Sequence, residues 1–504
     1  MGDILFTNAI NIYVVLQIIF YLLFICGVCL NSLVFIQLSF GVFNGSWGSY
    51  VCGFRFGVMG LIVLIGFLNL YLLYDIHFNT LEYHTELVNY MFEKHSYVFF
   101  MWKSLKFSVN ELSLTFIVLI SFLYPLILIL LQYDLSVERY KYYSYMIWLY
   151  CVIYVFIFTV DLLVWYIVYE LMICLVFYVM YLTANNRGCL EAILFFFGWA
   201  SVGSFLVGCV IVYIVVVGDI HEFGELQYIC FTINERYFIY LCVFFGFGTK
   251  LSIWPFWYWL PRAHVEVSTS LSIFLSCVLV KVCFYGLIRV FLCIGGEILI
   301  VCFIFFVGLS VFDVTVRLIL QTDLKAITAY GSVLHVNLLI LLFLLDTSVA
   351  SHGLIFYIWG HSYATAGMFY VIHLIERCCG TRLVFELGGL YQLNPLIAIF
   401  SILAFIAFLE FPLIYFFWGE LWLWVVMVEL IPLSTFILLF ISVGIYIIIF
   451  FWIWWNIIFG NIPQTCKGVY IYLSYEDMWV GVYIICSQYL VGMQPHILCW
   501  CTSG

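Results

Sequence analysis

Uncharged apolar runs of about 20 residues recur along most of the chain, and they limit the possible folds more than any other feature. A run of that length crosses a hydrocarbon core about 30 Å thick as a helix. Hydrophobic residues make up 67% of the 504 positions and charged residues 9%, whereas soluble proteins carry about 25% charged residues. The sequence therefore predicts an all-α polytopic membrane protein.

Fourteen apolar segments are expected to cross the membrane, and one of them is expected to be a broken helix. The segment 396–430 is longer than one crossing and contains Pro412, which interrupts helical hydrogen bonding. We expect a single membrane domain over 1–504, divided into N-terminal helices with a connector (1–110), a core (111–430) and C-terminal helices (431–504). The segments lie near 11–39, 54–75, 113–132, 143–160, 162–183, 190–217, 237–259, 269–292, 297–316, 326–345, 352–375, 396–430, 431–458 and 468–492.

A lysine beside a predicted helix break is the first candidate site. Lys250 lies within the apolar segment 237–259, and Pro255 and Pro261 follow it. A lysine at the bilayer centre costs roughly 2.5–3.5 kcal/mol on insertion scales, so it needs a partner and usually serves a function. A charge beside a broken helix is typical of ion pathways. Because Glu420 and Pro412 repeat this layout, the sequence also suggests an inverted repeat.

Four ionisable residues inside predicted spans form the candidate proton-translocation set: Glu170, Lys250, Lys281 and Glu420. Burial disfavours the charged form of a side chain, whereas a nearby opposite charge favours it. A Glu170–Lys250 pair that forms and separates can therefore switch the lysine between its protonated and neutral forms. Lys281 is expected to face Lys250 across a hydrated channel, and Glu420 to end the relay. The alternative is that these residues form structural ion pairs.

Histidines are expected to supply the intermediate steps, because the ordinary pKa of histidine, about 6.5, suits reversible proton transfer. His335 and His361 lie on predicted helices and form the expected relay axis, with a packing role as the alternative. Glu410 precedes Glu420 by ten residues. The sequence leaves open whether it extends the pathway or lies in a hydrated break.

Other polar residues near span ends are interpreted as structural. His264 and Glu266 follow a proline at a predicted helix end, where they would cap or cross-link the connector. Asp323 and Lys325 precede a span and predict a surface ion pair. The remaining carboxylates near span ends are expected to cap helices or to be solvated: Asp161, Asp346 and Glu429.

Several site classes lack support in the sequence. The 19 cysteines are scattered through apolar runs, where free cysteine behaves as a small hydrophobic residue, so neither a disulfide framework nor a metal cage is expected. Glycine-rich nucleotide motifs, HExxH and CxxCH do not occur. We therefore expect no cofactor, metal or redox centre on this chain. No basic cluster favours nucleic-acid binding.

Several motifs resemble those of the antiporter-like membrane subunits of respiratory NADH:ubiquinone oxidoreductase. One runs from Phe247 through Trp259–Glu266 to Gly286, and a second runs from Gln321 to Asn337. The resemblance covers roughly 110–430, and the Ala-His-Val-Glu sequence at 263–266 is closer to the chain 4 family than to chains 2 and 5. The chain departs from the family pattern at Ser252, Trp257 and Ser268, which replace a proline, a histidine and a proline. An acidic residue at Glu410 is not expected from the family either.

The resemblance implies about fourteen helices in two inverted five-helix repeats, with breaks near Lys250 and Glu420. It implies proton translocation by Glu170, Lys250, Lys281 and Glu420, a central hydrophilic axis through His335 and His361, and no cofactor on this chain. Implied partners are the other membrane subunits of the complex, including neighbouring antiporter-like chains, and lipids. The implied location is the mitochondrial inner membrane. The abundance of Phe (52) and Tyr (38) over Pro (8) further suggests an organellar gene.

Two function classes, and a third without transport, follow from these observations. The leading one is a proton-pumping subunit of a redox-driven complex, with electrons passing elsewhere. The rival is a cation/proton antiporter or one of its subunits. An antiporter needs a cluster of oxygen ligands for its cation, whereas the central charges here alternate between acid and base. The third is a structural scaffold that keeps its charges for packing.

Overall fold

The computed structural model describes residues 59–60, 62–69, 97–102, 105–134, 139–184, 186–226, 231–294, 299–345, 347–462 and 473–492. The expected span 11–39, most of the span 54–75, most of the connector 76–110 and Asp346 lie outside these residues. A helical segment at 62–69 belongs to the second expected span. Strands β1 (Tyr97–Trp102) and β2 (Leu105–Val109) pair antiparallel within the part of the connector that is described.

Helices account for nearly all the remaining described chain. They are α1 (Glu111–Asp134), α2 (Arg139–Phe158), α3 (Leu162–Leu182), α4 (Arg187–Gly218), α5 (Phe223–Leu226), α6 (Ile233–Gly248), α7 (Trp259–Glu266), α8 (Thr269–Ile294), α9 (Ile300–Leu318), α10 (Leu324–Leu344), α11 (Ser348–Cys379), α12 (Leu390–Leu393), α13 (Pro395–Phe408), α14 (Tyr415–Leu430), α15 (Leu433–Phe459) and α16 (Tyr475–Gly492).

The predicted membrane character is confirmed, because seven helices within the described ranges are long and apolar enough to cross a bilayer. The described residues form two compact units. One unit contains those of 1–185 and 211–228, where α2 packs against both α1 and α3. The other contains those of 186–210 and 229–503, where α11 packs most extensively against α14. The expectation of a single domain over 1–504 stays a prediction.

Local sequence signals explain where several helices begin and end. Asp161 caps α3 by accepting hydrogen bonds from the N–H groups of Leu163 and Val164, as the sequence suggested for a capping carboxylate. Asn394 caps α13 in the same way, with proline at the first helical position. Helix α11 ends at Gly380 in a left-handed conformation that glycine adopts without strain.

The predicted break in 396–430 is confirmed, because α13 ends at Phe408 and α14 begins at Tyr415. Two residues between them, Glu410 and Leu413, have positive φ angles of 59° and 79°, which end the helical path. The chain therefore changes direction inside one apolar stretch, and backbone groups near Glu410 lie away from regular helix.

The break near Lys250 is also present, but it begins earlier than the sequence predicted. Helix α6 ends at Gly248, so Lys250 lies in the turn after the helix rather than within it. The N–H of Lys250 bonds the carbonyl of Phe247, and Ser252 adopts a left-handed φ of 59°. A 3₁₀ turn at Phe256–Tyr258 then leads into α7.

Side chains satisfy two of the carbonyl groups in this break. The Trp259 indole donates to the Thr249 carbonyl at 2.5 Å, and the Asn337 amide donates to the Ser252 carbonyl at 3.2 Å. Irregular backbone at membrane depth is tolerated only where its polar groups have such partners.

Two glycines bring α11 and α14 into backbone contact. A Cβ at Gly360 would lie 2.4 Å from the Cα of Phe416, and a Cβ at Gly419 would lie 2.6 Å from the backbone nitrogen of Tyr357. Each glycine directly precedes a predicted relay residue, His361 or Glu420. The close approach of the two helices therefore sets the positions of those side chains.

Candidate proton-transfer site

Lys281 lies on α8, directly after a π-helical turn at Leu275–Leu279. Such turns are rare and are frequently found at functional sites. The lysine side chain is fully buried, and its ammonium donates to the carbonyl of Ser276 at 2.9 Å. Every residue from 269 to 290 is buried inside the protein, so this ammonium is held by protein groups and not by lipid.

His361 receives the second contact of that ammonium. The Lys281 Nζ lies 2.5 Å from Nδ1 of His361, which is also fully buried. With the ammonium as donor, Nδ1 accepts and the neutral imidazole carries its proton on Nε2. The predicted pairing of Lys281 with Lys250 across a channel stays a prediction, whereas Lys281 and His361 are in direct contact.

His335, on α10, continues the path from His361. The centroids of the two imidazole rings are 5.6 Å apart. On its far side, Nδ1 of His335 lies 3.0 Å from Oε1 of Glu410, and both side chains are almost completely buried. Its Nε2 lies 3.1 Å from the hydroxyl of Tyr446 on α15. Nδ1 also lies 3.4 Å from the Tyr357 hydroxyl, and its approach to Glu410 is an ion-pair contact in which Oε1 forms no hydrogen bond among the described residues.

Glu420 completes this arrangement on α14. Its carboxyl group interacts electrostatically with the Glu410 carboxyl, which also interacts with the Tyr357 hydroxyl. The Trp424 indole donates to Oε1 of Glu420 at 2.9 Å. We call the buried series Lys281, His361, His335, Glu410 and Glu420 the central polar row. It joins α8, α11, α10 and the break between α13 and α14.

Aromatic rings surround the middle of the central polar row. The rings of Phe408, Phe416 and Tyr446 lie 5.2, 5.0 and 5.3 Å from His335, each in an edge arrangement. Apolar rings on several sides lower the local dielectric and strengthen each polar contact that is made. Outside the row itself, the polar contacts of its members are with a few groups such as the Tyr446 and Tyr357 hydroxyls and the Trp424 indole.

The structure thus brings together four of the six predicted site residues: Lys281, His361, His335 and Glu420. Lys250 is buried in the break after α6, in the same compact unit. Glu170 lies on α3 in the other unit, where Tyr166 donates to its carboxylate at 2.8 Å. The pairing of Glu170 with Lys250 stays a prediction.

Glu410 is the member of the central polar row that sequence reasoning left undecided. Its position two residues after the end of α13 corresponds to that of Lys250, which lies two residues after the end of α6. The sequence evidence for a role of Glu410 was its position as a carboxylate near Pro412 in an apolar stretch. The contact with His335 joins positions 75 residues apart in sequence, which is why spacing alone did not reveal it.

The predicted surface ion pair between Asp323 and Lys325 is wrong. Asp323 caps α10 through the N–H of Lys325 and forms its ion pair with Arg382 at 2.7 Å. The Lys325 side chain is only 5% exposed, and its ammonium lies 3.8 Å from Glu376. Backbone hydrogen bonds join the start of α10 to the loop that follows α11. Asp323 and Lys325 therefore lie beside different partners.

The remaining singled-out residues occupy structural positions. His264 is buried on α7 and stacks on Phe369, with ring centroids 4.9 Å apart, and its ring nitrogens make no hydrogen bond within the described residues, so the capping or cross-linking role stays a prediction. Glu266 is the last residue of α7. Trp257, where the family has a histidine, donates from its indole to Asp313 at 3.1 Å. That contact lies outside the central polar row.

Comparisons with known proteins agree with this architecture. A family profile described as "NADH:quinone oxidoreductase/Mrp antiporter, TM" matches residues 159–449. The "NADH-ubiquinone oxidoreductase chain 4" of Paramecium tetraurelia is 28% identical over 305 residues, which are 60% of this chain and 64% of that protein. The chain thus matches less than two thirds of this relative's length.

Two solved structures share the fold. A chain of respiratory complex I from Thermus thermophilus is 19% identical, with a TM-score of 0.75 over 88% of this chain and 92% of that one. A chain of the Mrp complex from Dietzia sp. is 15% identical, with a TM-score of 0.73 over 89% and 94%. The family match covers more than half of the 504 residues and includes every residue of the central polar row. The chain therefore belongs to the NADH:quinone oxidoreductase/Mrp antiporter transmembrane family.

Proposed function

We propose that this chain is a proton-translocating membrane subunit of a respiratory NADH:ubiquinone oxidoreductase. The observation that carries the proposal is the central polar row, in which ionisable groups follow one another inside an apolar bundle. Intramembrane ionisable residues are costly and mark proton pathways when they face the bundle interior. The chain 4 relative and the structural likeness to a complex I chain support the choice of complex.

In this proposal each member of the central polar row takes up and releases one proton in turn. Lys281 as an ammonium can pass a proton to Nδ1 of His361, at 2.5 Å, and becomes a neutral amine. The proton then passes towards His335, whose Nδ1 faces Glu410 at 3.0 Å. Lys250 and Glu170 would act upstream, where a change in their pairing alters the charge state of the lysines.

The proposal includes the finer expectations from the sequence. The complete chain would have about fourteen transmembrane helices in two inverted five-helix repeats, broken near Lys250 and Glu420. Other membrane subunits, including neighbouring antiporter-like chains, and lipids would surround it. Quinone reduction would take place elsewhere, with no cofactor or redox centre on this chain. The location would be the mitochondrial inner membrane, with an organellar gene.

The second candidate is a subunit of a cation/proton antiporter, because the chain also has the fold of an Mrp complex chain. A bound sodium ion requires several oxygen ligands. The central polar row instead runs from an amine through two imidazoles to two carboxyl groups, each of which can gain and lose a proton, and this suits protons.

Native electrophoresis of gently solubilised source membranes separates the two candidates. We expect peptides of this chain in the large band that stains for NADH dehydrogenase activity. Migration without that activity, together with sodium-dependent proton exchange in vesicles, would instead support the antiporter. The same gel run on membranes that lack this chain is the control, since the stained band should then shrink or disappear.

A further inference from the structure

We infer that Glu410 is a proton-carrying residue of this pathway, which takes a proton from His335 and shares it with Glu420. The inference rests on the proposed function and adds a residue that the family resemblance does not supply. It starts from an ion-pair contact: Oε1 of Glu410 lies 3.0 Å from Nδ1 of His335, with the two side chains 3% and 1% exposed. Burial of a carboxylate costs free energy unless partners of this kind compensate for the hydration that it loses.

The backbone at this position gives a second, independent indication. Glu410 has a φ of 59°, in the left-handed region that glycine or asparagine usually occupies. A residue with a long side chain is strained in that region, and such strain occurs most often at functional sites. The conformation turns the chain out of α13, and the carboxyl group of Glu410 contacts His335.

Charged and titratable groups face Glu410 from four elements. They are His335 on α10, Tyr357 on α11, Glu420 on α14 and Tyr446 on α15. Lys281 and His361 extend the same series beyond His335. Two carboxyl groups in one buried site cannot both be ionised at low cost, so the pair formed by Glu410 and Glu420 holds a proton between them.

The transfer step is balanced without any further reactant. An imidazolium at His335 carries protons on both ring nitrogens. When the Nδ1 proton moves to Oε1 of Glu410, a neutral imidazole and a carboxylic acid result. Glu420, which held the proton of the pair, then releases it onward along the pathway, the Glu410 acid donates its proton to the Glu420 carboxylate thus formed, and Glu410 becomes a carboxylate again. A new proton from the His361 side restores the imidazolium.

The decisive variant is Glu410→Gln in the assembled complex. Glutamine keeps the size and the hydrogen-bonding atoms of glutamate, but it cannot gain or lose the proton. We expect proton pumping to fall on the order of 10²-fold, the range typical for removal of one proton-transfer group. The amount of complex on native gels should stay at the wild-type level. Wild-type pumping in Glu410→Gln would overturn the inference.

Two further variants make the result specific. Asp477→Asn removes another buried carboxylate, which pairs with Arg377 at 3.0 Å outside the central polar row, and it should keep wild-type pumping in whatever complex assembles. Glu420→Gln should abolish pumping if the proposed function is correct. Loss in Glu420→Gln with wild-type pumping in Glu410→Gln rejects the inference alone. Wild-type pumping in both rejects the proposed function as well.

Glu410→Asp serves if the glutamine variant does not assemble. Aspartate keeps the carboxyl group but shortens its reach to His335, so pumping should persist with a changed dependence on pH. A purely structural role predicts a changed amount of complex with an unchanged pH profile, and that result would count against the inference.

Discussion

Replacement of Gly360 by alanine should damage both stability and proton pumping, although alanine favours helices. Within an ordinary helix, this change stabilises by up to about 1 kcal/mol. Here the new Cβ would lie 2.4 Å from the Cα of Phe416 and 2.7 Å from its backbone nitrogen. Neither atom belongs to a flexible side chain, so α11 and α14 must move apart.

The size of the effect follows from the contact distance. Non-bonded carbon atoms are best separated by about 3.5–4.0 Å, so the helices must separate locally by about 1 Å. Overpacking of this kind typically costs about 1–3 kcal/mol. The displacement also moves His361 relative to Glu420, and a misplacement of about 1 Å can cost on the order of 10²-fold in a reaction that depends on position.

Gly444→Ala is the matched control. Gly444 lies inside helix α15, and no atom lies within 4 Å of a Cβ at that position. We expect the control to keep or slightly raise the thermal midpoint of the complex and to pump like the wild type. Thermal unfolding of the detergent-solubilised complex and acidification of inside-out vesicles measure the two effects. Equal behaviour of Gly360→Ala and Gly444→Ala in both assays would refute the packing argument.

Two predictions concern polar contacts outside the central polar row. The carboxylate of Glu222 hydrogen-bonds Lys106 and raises the pKa of that lysine above its ordinary value of 10.5. Because the pKa of Lys106 is raised in the folded state, its ion pair with Glu222 stabilises the folded protein fully below pH 10.5. That stabilisation is lost as the pH rises further. The difference in thermal midpoint between wild type and Lys106→Met should therefore be constant from about pH 6 to about pH 9 and shrink only in stronger alkali; a difference that vanishes near neutrality would contradict this. Arg382→Met removes the partly exposed ion pair with Asp323 and should cost about 0.2–1 kcal/mol of stability with unchanged pumping, measured on the same complex.

The sequence predicted most helices because long apolar runs leave the backbone no other way to satisfy its hydrogen bonds in a membrane. The break near Pro412 was also predictable, since proline removes a donor from the helix. The end of α6 at Gly248 was not, because the stretch around Lys250 is as apolar as the helix before it. Its turn depends on distant partners such as Trp259 and Asn337, which bond the carbonyl groups outside the helix.

The site was predictable in its residue types but not in its contacts. Lys281, His335 and His361 stood out because ionisable groups are rare in apolar spans. Which of them touch depends on how helices far apart in sequence pack, and α10, α11 and α14 have only a weak periodicity that would mark an inner face. The same reason explains the wrong ion pair of Asp323, whose true partner Arg382 lies on another loop.

Substitution of Lys281 by arginine tests the central claim most directly. Arginine keeps the positive charge and can still donate to His361, but a guanidinium does not release its proton in proteins. If Lys281 passes protons along the central polar row, pumping should fall on the order of 10²-fold in Lys281→Arg, as in Lys281→Met, while the complex still assembles. If the lysine is only a structural charge, Lys281→Arg should pump like the wild type, and that result would contradict the account.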